Sequence, residues 1–255
     1  MSGWNPEQYL KFRNQRTQPA IDLVKRIERN NPQTILDVGC GPGNSTKVLK
    51  DAFPKAYILG IDSSEDMVKK ARETYPDIEF RVMDITEGNQ NLKNIDIIFS
   101  NACLQWIPNH KELIPMLFGR LSKGGVLAVQ IPMNFQERLF TIMSETVNED
   151  KWGFSSMPTE PDATLKCEEY FDILSSLTDD FDIWETVYYH NIPSVDAMVE
   201  WIKGTRLRPY LDVLSSNDAE ELINEITEKA SKAYEQQKNG EIIFRFRRFF
   251  FTATR

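Results

Sequence analysis

Short apolar runs alternate along the first half of this chain with segments whose apolar residues recur at helical spacing. The runs are rich in Ile, Val and Leu and are bounded by polar or glycine-containing turns, which is typical of buried strands. They lie at residues 35–38, 56–61, 79–83, 95–100 and 126–131. After the first run, Val48, Leu49, Ala52 and Phe53 share one helical face. Strands separated by helices indicate a parallel sheet with crossover helices.

The remaining segments continue this pattern with two further strands. Residues 5–30 form a helical lead-in with an apolar stripe, and residues 184–190 alternate as a strand that Pro193 ends. Asn239-Gly240 is a tight-turn signal before a last strand at residues 242–252. Five early strands and these two predict a seven-stranded sheet.

The predicted fold class is therefore α/β, a Rossmann-like seven-stranded sheet whose last strand is antiparallel, with helices on both faces. Residues 1–255 are predicted to form a single domain. Segments with helical spacing at about 135–180 and 194–238 are predicted to form a helical cap. Ser194 is expected to cap a helix that runs to Lys203.

Residues 37–44, Asp-Val-Gly-Cys-Gly-Pro-Gly-Asn, place three alternating glycines directly after the first strand. Such a loop turns sharply and lets a ligand approach its backbone closely. A dinucleotide fingerprint needs glycine at position 44, where this chain has Asn, and a P-loop needs Lys followed by Ser or Thr. Asp37 would also repel a pyrophosphate. S-adenosylmethionine (SAM), which has an ammonium group and no phosphate, fits better; the alternative is a plain turn whose glycines serve packing.

An acidic residue also follows each of the next two predicted strands. Asp62 lies 19 residues after Gly43 (62 − 43), close to the ~20 expected for a carboxylate that binds a ribose diol. Met67, on the helix that Ser63 or Ser64 caps, is either an adenine contact or core filler. Asp84 either accepts from the adenine amino group or caps its loop. The candidate cofactor-binding residues are Asp37, Gly39, Cys40, Gly41, Gly43, Asn44, Asp62, Ser63, Met67, Asp84, Ile85, Asn101 and Ala102.

The fourth predicted strand leads into Asn-Ala-Cys-Leu-Gln-Trp, residues 101–106. Ligands of open α/β sheets bind at the carboxyl ends of the strands, near the switch in strand order. We therefore expect these residues at the junction of cofactor and substrate, with Gln105 and Trp106 as walls of the methyl-transfer site. Trp106 is alternatively a core residue only.

The order of these motifs resembles class I SAM-dependent methyltransferases: DVGCGPG, GIDSS, an acid after strand three, FSNACLQW and LSKGGVLAVQ. A more specific resemblance, to the trans-aconitate 2-methyltransferase family, runs over nearly the whole chain. It rests on residues 4–6, 9, 12, 16, 19–20, 41–46, 104–106, 182–184, 188–190 and 207–209. Arg206 departs from the small residue expected in that family.

The resemblance implies that a carboxylate of a small polycarboxylic acid, trans-aconitate, receives the methyl group of SAM. A carboxylate is already ionised at pH 7, so in-line displacement needs alignment and no general base. The sequence agrees, since we find no Ser-His-Asp set, close carboxylate pair or metal cluster in it. No acid-base catalyst and no metal are predicted. The residues expected to position the reactants are Gln105, Trp106, Tyr188 and His190.

An anionic acceptor needs cations, and arginine binds carboxylates bidentately. The predicted substrate-binding residues are Tyr9, Phe12, Arg16, Gln105, Trp106, Tyr188, Tyr189, His190, Trp201, Arg206, Arg208 and Arg248. On the last strand Arg245 and Arg247 share one face, opposite Arg248, and are interpreted as solvated or ion-paired. One of the two tyrosines has to face the core, and His190 is alternatively a core histidine.

Composition narrows the class of protein further. The chain has 255 residues, 41% of them hydrophobic, a formal net charge of −8 and a pI near 5. An acidic chain is unsuited to nucleic acid as substrate. It has neither an apolar run approaching the ~18 residues that cross a bilayer nor a signal-peptide pattern. Three cysteines without metal or disulfide spacing favour the cytoplasm. The sequence leaves the oligomeric state open and is compatible with a monomer.

Two other function classes remain open. One is a SAM-dependent methyltransferase of another small molecule, whose oxygen or nitrogen nucleophile would need a base; His110 and His190 are the only histidines. The other is a SAM-binding module without activity. Stabilisation by SAM but by no acid would favour either of these over a carboxyl methyltransferase.

Overall fold

The computed structural model describes residues 13–87, 92–154, 164–204 and 206–255, with side chains from residue 17 onward. The strands are Thr34–Val38 (β1), Tyr57–Asp62 (β2), Glu79–Val82 (β3), Ile95–Asn101 (β4), Leu121–Pro132 (β5), Phe181–Ile192 (β6) and Ile242–Thr254 (β7). The helices described are Arg13–Val24 (α1), Asn44–Ala52 (α2), Glu65–Thr74 (α3), His110–Gly119 (α4), Arg138–Val147 (α5), Cys167–Leu177 (α6), Val195–Lys203 (α7), Arg208–Leu211 (α8) and Ser216–Ala233 (α9). Short 3-10 turns occupy Leu104–Trp106 and Asp150–Trp152.

The strands form one sheet in the order β3-β2-β1-β4-β5-β7-β6. Strands β1 to β5 pair in parallel with their neighbours, and β7 pairs antiparallel with β5. The predicted seven-stranded α/β fold with an antiparallel last strand is therefore confirmed. The direction of strand succession reverses at β1, which lies between β2 and β4, so the carboxyl ends of β1 and β4 mark the switch point.

Serine caps start several helices where the sequence predicts them. Ser64 accepts from the backbone N–H of Met67 at the start of α3, and Ser194 accepts from that of Ala197 at the start of α7. Each hydroxyl pairs a backbone donor that the first turn of a helix leaves without an intrahelical acceptor. The predicted helix from Ser194 to Lys203 is confirmed.

The chain divides into two compact units. The first contains the described residues up to Pro132, from 164 to Thr186 and from Arg248 onward; the second contains the described part of 133–161 and Val187–Arg247. The helical cap predicted over about 135–180 and 194–238 stays a prediction, and α6, within the first of these ranges, belongs to the first unit. Its Tyr170 is completely buried there, stacked on Phe249 at 5.0 Å between ring centroids.

Several strands are longer than their sequence pattern predicts, among them β5 and β7. β5 begins at Leu121 rather than residue 126, and β7 continues to Thr254 rather than 252. The N–H of Gly124 donates to the carbonyl of Arg255 at 2.6 Å, which joins the start of β5 to the end of β7. Gly124 and Gly125 interrupt the apolar pattern of β5, so the sequence pattern does not show where this strand begins.

Candidate functional site

The glycine loop between β1 and α2 has a backbone shape that only glycine adopts easily. Gly39, Gly41 and Gly43 have φ of 72°, 53° and 91°, all in the left-handed region. The N–H groups of Gly39 and Cys40 donate to the carbonyl of Ile61 at 2.8 and 2.9 Å. The loop is thereby fixed against the end of β2.

The three glycines differ in what a side chain would meet. A Cβ on Gly39 would lie 2.1 Å from Sγ of Cys103, and one on Gly43 would lie 2.7 Å from the ring of Tyr75. A Cβ on Gly41 would have no atom of the described chain within 4 Å. Close packing therefore explains why positions 39 and 43 lack a side chain. Gly41 instead borders open space through which a ligand can reach the backbone.

Asp37 lies completely buried under this loop. Its Oδ2 accepts from the hydroxyls of Ser45 and Thr46 at 2.7 and 2.6 Å, while Oδ1 has no hydrogen-bond partner within the described part of the chain. Burial raises the pKa of Asp37 to about 6, against the lowering effect of the two hydroxyls. An unsatisfied buried carboxylate oxygen fits an ammonium group and would oppose a phosphate.

Asp62, at the end of β2, connects the loop to the next helix. Its Oδ2 accepts from the N–H of Gly41 and its Oδ1 from that of Ser64, both at 2.9 Å. Burial raises the pKa of Asp62 above its usual value, although these two hydrogen bonds lower it. Each carboxylate oxygen has two lone pairs, so Asp62 can still accept from a pair of hydroxyls. Its predicted ribose contact stays a prediction.

The other predicted cofactor contacts occupy mixed positions. Met67 and Ile85 are buried, as core residues would be. Asp84 caps its own loop, accepting from the N–H and hydroxyl of Thr86 at 2.8 and 2.7 Å. Asn44 accepts from the Tyr75 hydroxyl at 3.4 Å, and its buried Nδ2 has no partner among the residues described. Adenine contacts by Met67 and Asp84 remain predictions.

The end of β4 leads into a turn with a left-handed residue and a buried glutamine. Ala102 has a φ of 55°, unusual for a residue with a Cβ. The amide of Gln105 donates from Nε2 to the carbonyl of Ala102 at 2.8 Å. Trp106 is 39% exposed, which argues against a purely core role.

One buried polar residue of this edge was missed by the sequence reasoning. Gln130 is completely buried in β5, and its main-chain carbonyl accepts from the N–H of Ala102 at 3.0 Å. A glutamine inside the run Val-Leu-Ala-Val-Gln-Ile was the available signal, because a strand buried on both faces is normally apolar throughout.

His110 is not available as a base. It is buried in the first unit, with Nε2 2.8 Å from the carbonyl of Leu104 and Nδ1 2.6 Å from the hydroxyl of Tyr170. The carbonyl can only accept, so Nε2 carries a proton and donates. The Tyr170 hydroxyl also accepts from the N–H of Leu165 at 3.3 Å. Both ring nitrogens are thus engaged, and His110 serves as a structural bridge.

Several predicted acceptor contacts form an aromatic cluster in the second unit. His190 stacks on Trp201, with ring centroids 5.5 Å apart, and lies parallel to Tyr188 at 6.4 Å. Tyr189 lies on the other face of β6, is 63% exposed and has Arg245 5.9 Å from its ring centroid. Tyr188 and Tyr189 thus point to opposite faces of β6, as the alternation of strand residues predicts, and their contacts with the acceptor stay predictions.

The predicted arginines have separate environments. Arg208 lies in α8 with Nε 3.6 Å from a carboxylate oxygen of Asp212, and Arg206 is half-buried. Arg248 is only 6% exposed on β7, whereas Arg245 is exposed, as the alternation of strand faces predicts. Tyr9 and Phe12, and the side chain of Arg16, lie outside the described residues.

The described residues contain no group of three or more His, Cys, Asp and Glu side chains that could hold a metal ion. Within the same ranges, no helix combines the length and apolar character that a membrane span requires.

Comparisons with known proteins agree with this geometry. Residues 35–125 match a family model described as a methyltransferase domain. The chain is 40% identical over all of its 255 residues to a trans-aconitate 2-methyltransferase of Escherichia coli, covering 99% of that protein, and 41% identical over 255 residues to the enzyme of that name from Shigella dysenteriae. Among solved structures it is similar to the YcgJ protein from Bacillus subtilis, with a TM-score of 0.58, 14% identity and coverage of 93% and 98% of the two chains.

Proposed function

The chain belongs to the trans-aconitate 2-methyltransferase family, and on that basis we propose that it transfers the methyl group of SAM to a carboxylate oxygen of trans-aconitate. Whole-length identity of 40% to a trans-aconitate 2-methyltransferase is the observation that carries the proposal. The chain is a SAM-dependent methyltransferase by family, and the ester product is the proposed part.

The residues around the glycine loop fit SAM. SAM supplies a methyl group on a positively charged sulfur, which leaves as a neutral thioether. Asp37 offers its unsatisfied Oδ1 to the ammonium group, Asp62 accepts from the ribose hydroxyls, and the backbone at Gly41 borders the open approach. The buried Oδ1 of Asn101 and Nδ2 of Asn44, neither with a partner in the described part of the chain, are further polar groups for this ligand.

The proposed mechanism uses alignment instead of proton transfer. The acceptor carboxylate is ionised at pH 7, so the chain has no proton to remove before the displacement. His110 is held between Leu104 and Tyr170, and His190 is stacked among aromatic rings. Holding two reactants in line supplies up to ~7–11 kcal/mol of barrier lowering. Gln105, Trp106, Tyr188 and His190 are the proposed positioning residues.

Cations and donors on several elements are proposed to recognise the acceptor. Arg248 is buried on β7, and a buried guanidinium favours a carboxylate partner. Arg206, Arg208 and Trp201 of the second unit are the further proposed contacts. The net charge of −8 makes such local cations necessary for an anionic ligand, and it favours a small acid over nucleic acid as the partner.

Methyl transfer from radiolabelled SAM to trans-aconitate tests the proposal. We expect label in a product that mild alkali hydrolyses, because a methyl ester is base-labile, together with one equivalent of S-adenosylhomocysteine (SAH). A panel of other di- and tricarboxylates defines acceptor preference. Label in none of these acids, or in a product stable to alkali, would contradict the proposal.

A further inference from the structure

Gln130 in β5 is an unusual residue in this core. Its side chain is 0% exposed, and neither the nitrogen nor the oxygen of its amide has a hydrogen-bond partner among the described residues. Roughly nine in ten buried polar groups in proteins are paired, and an unpaired one costs about 1–3 kcal/mol. Two unpaired buried atoms on one side chain therefore indicate that a ligand supplies the hydrogen bond that the described chain does not.

The strand register places Gln130 beside two other polar residues. Gln130 pairs with Asn101 of β4, and Pro132, two residues further along β5, pairs with Arg248 of β7. Paired residues of neighbouring strands, and residues two apart on one strand, share a face of the sheet. Asn101, Gln130 and Arg248 therefore lie on one face at the carboxyl end of the sheet.

Gln130 and Arg248 are withdrawn from solvent, and Asn101 is partly exposed. Arg248 is buried, and the Oδ1 of Asn101 is buried without a partner in the described ranges. The opposite face at this point is apolar, since Phe249 and Phe251 pack against Tyr170. The shared face thus combines the positive charge of Arg248 with the unpaired amide of Gln130, which suits a carboxylate whose oxygens need donors.

The position of Gln130 separates it from the cofactor cradle. The glycine loop and Asp62 lie at the ends of β1 and β2, while Gln130 lies on β5, with β4 between β5 and β1. Neighbouring strands are about 4.8 Å apart, so Gln130 is displaced from β1 by roughly 10 Å. A group at that distance from the donor loop is placed to meet the acceptor.

We infer that Gln130 binds the acceptor, donating from Nε2 to a carboxylate oxygen of the acid beside the guanidinium of Arg248. The inference rests on the proposed function and assigns one residue of its acceptor site. A neutral amide adds a directed hydrogen bond without a second positive charge. A site built to hydrogen-bond a polar group rejects ligands that lack it.

Gln130→Met tests this role, since methionine has a similar length and cannot form these hydrogen bonds. Gln236→Met, at an exposed glutamine, is the matched control. For Gln130→Met we expect a KM for trans-aconitate at least tenfold above wild type, a smaller change in kcat, SAH affinity within twofold, and a melting temperature equal to or above wild type. The higher stability follows from removal of an unpaired buried amide.

Unchanged KM for trans-aconitate in Gln130→Met would overturn the inference, as would an equal loss of SAH and acceptor affinity. If Gln130→Met does not fold, Gln130→Asn replaces it, since asparagine keeps the amide on a side chain that is one methylene shorter. The KM of Gln130→Asn for trans-aconitate should still rise several-fold. A wild-type KM in Gln130→Asn would also overturn the inference.

The wild-type transfer rate reports on the proposed function by itself. If wild type transfers no methyl group, the same comparison is made by calorimetry with trans-aconitate and SAH-loaded protein. Binding without transfer contradicts the proposed function, and equal dissociation constants for wild type and Gln130→Met contradict the role of Gln130. Absence of binding to wild type overturns both.

Discussion

At the scale of single residues, Asp37 links the chemistry of the ligand to pH. Burial raises its pKa to about 6, so at pH 7 it is an ionised carboxylate with one unsatisfied oxygen. If it receives the ammonium group of SAM, only its ionised form binds. SAM affinity should be constant above about pH 7 and fall roughly tenfold per pH unit below pH 6. Calorimetric titrations at pH 5, 6 and 7 measure this.

Asp37→Asn is the control for that pH dependence. The variant should bind SAM more weakly at pH 7, with an affinity that no longer changes between pH 5 and 7. The raised folded-state pKa also means that the native state binds the proton more tightly than the unfolded chain. The protonated Asp37 of the wild type therefore stabilises the fold by about 3 kcal/mol below about pH 4, and this stabilisation is lost as the pH rises through 6. A wild-type affinity independent of pH would contradict the ammonium contact.

Arg208 is the residue for which acceptor binding and local structure compete. Its guanidinium lies near the carboxylate of Asp212, one helical turn away, in a partly exposed pair. Such pairs contribute little to stability, about 0.3–0.5 kcal/mol, so Arg208→Ala should leave the melting temperature nearly unchanged. We expect it to raise the KM for trans-aconitate about tenfold with SAM affinity intact.

Asp212→Ala separates the two roles of Arg208, because it removes the ion pair and keeps the arginine. It should leave the KM for the acid unchanged or lower it. Equal losses of SAM and acceptor affinity in Arg208→Ala would instead indicate a structural role.

At the scale of elements, one glycine of the loop packs against neighbouring rings and another leaves space for a ligand to reach the backbone. Gly43→Ala should destabilise the protein, by about 1–3 kcal/mol, because its Cβ meets the rings of Tyr75 and Phe80. Gly41→Ala meets no described atom, so it should cost only the roughly 1 kcal/mol of a left-handed alanine. Because the Gly41 Cβ enters the open approach, this variant should lose more SAM affinity than its small loss of stability explains.

Chemical denaturation and SAM titration of both glycine variants test whether Gly43 serves stability and Gly41 serves SAM binding. A Gly41→Ala protein with normal SAM affinity would show that the open space beside Gly41 is not the approach to the ligand.

Elements also show how far sequence reasoning reaches. The glycine loop, β1, β2 and the caps at Ser64 and Ser194 are set by local patterns, and the structure has them where the sequence places them. The start of β5 and the position of α6 depend on contacts with distant segments, the carbonyl of Arg255 and the ring of Phe249. Local patterns contain no information on such partners.

The candidate site divides in the same way. Asp37 and Asp62 follow from strand ends and spacing, whereas the isolation of the Asp37 Oδ1 is visible only in three dimensions. Gln130 was not predicted as a site residue, because strand register determines its neighbours Asn101 and Phe250. Register cannot be deduced from one apolar run.

At the scale of the whole molecule, the absence of a general base should be visible in the pH profile. With saturating SAM, kcat/KM for trans-aconitate should stay constant from pH 7 to pH 9, because the acceptor is ionised throughout and neither histidine takes a proton. Initial rates of methyl transfer measure it. A rate that rises tenfold per pH unit within this range would require a titrating base and contradict the alignment mechanism.

Calorimetric titration of the whole protein with SAM, and separately with NAD and FAD, tests most directly whether the loop at Gly39–Gly43 and Asp62 holds a cationic methyl donor. We predict saturable one-to-one binding of SAM, weakened at least tenfold by Asp62→Ala, and no heat of binding from either dinucleotide. Binding of NAD or FAD without binding of SAM would contradict the assignment of the site.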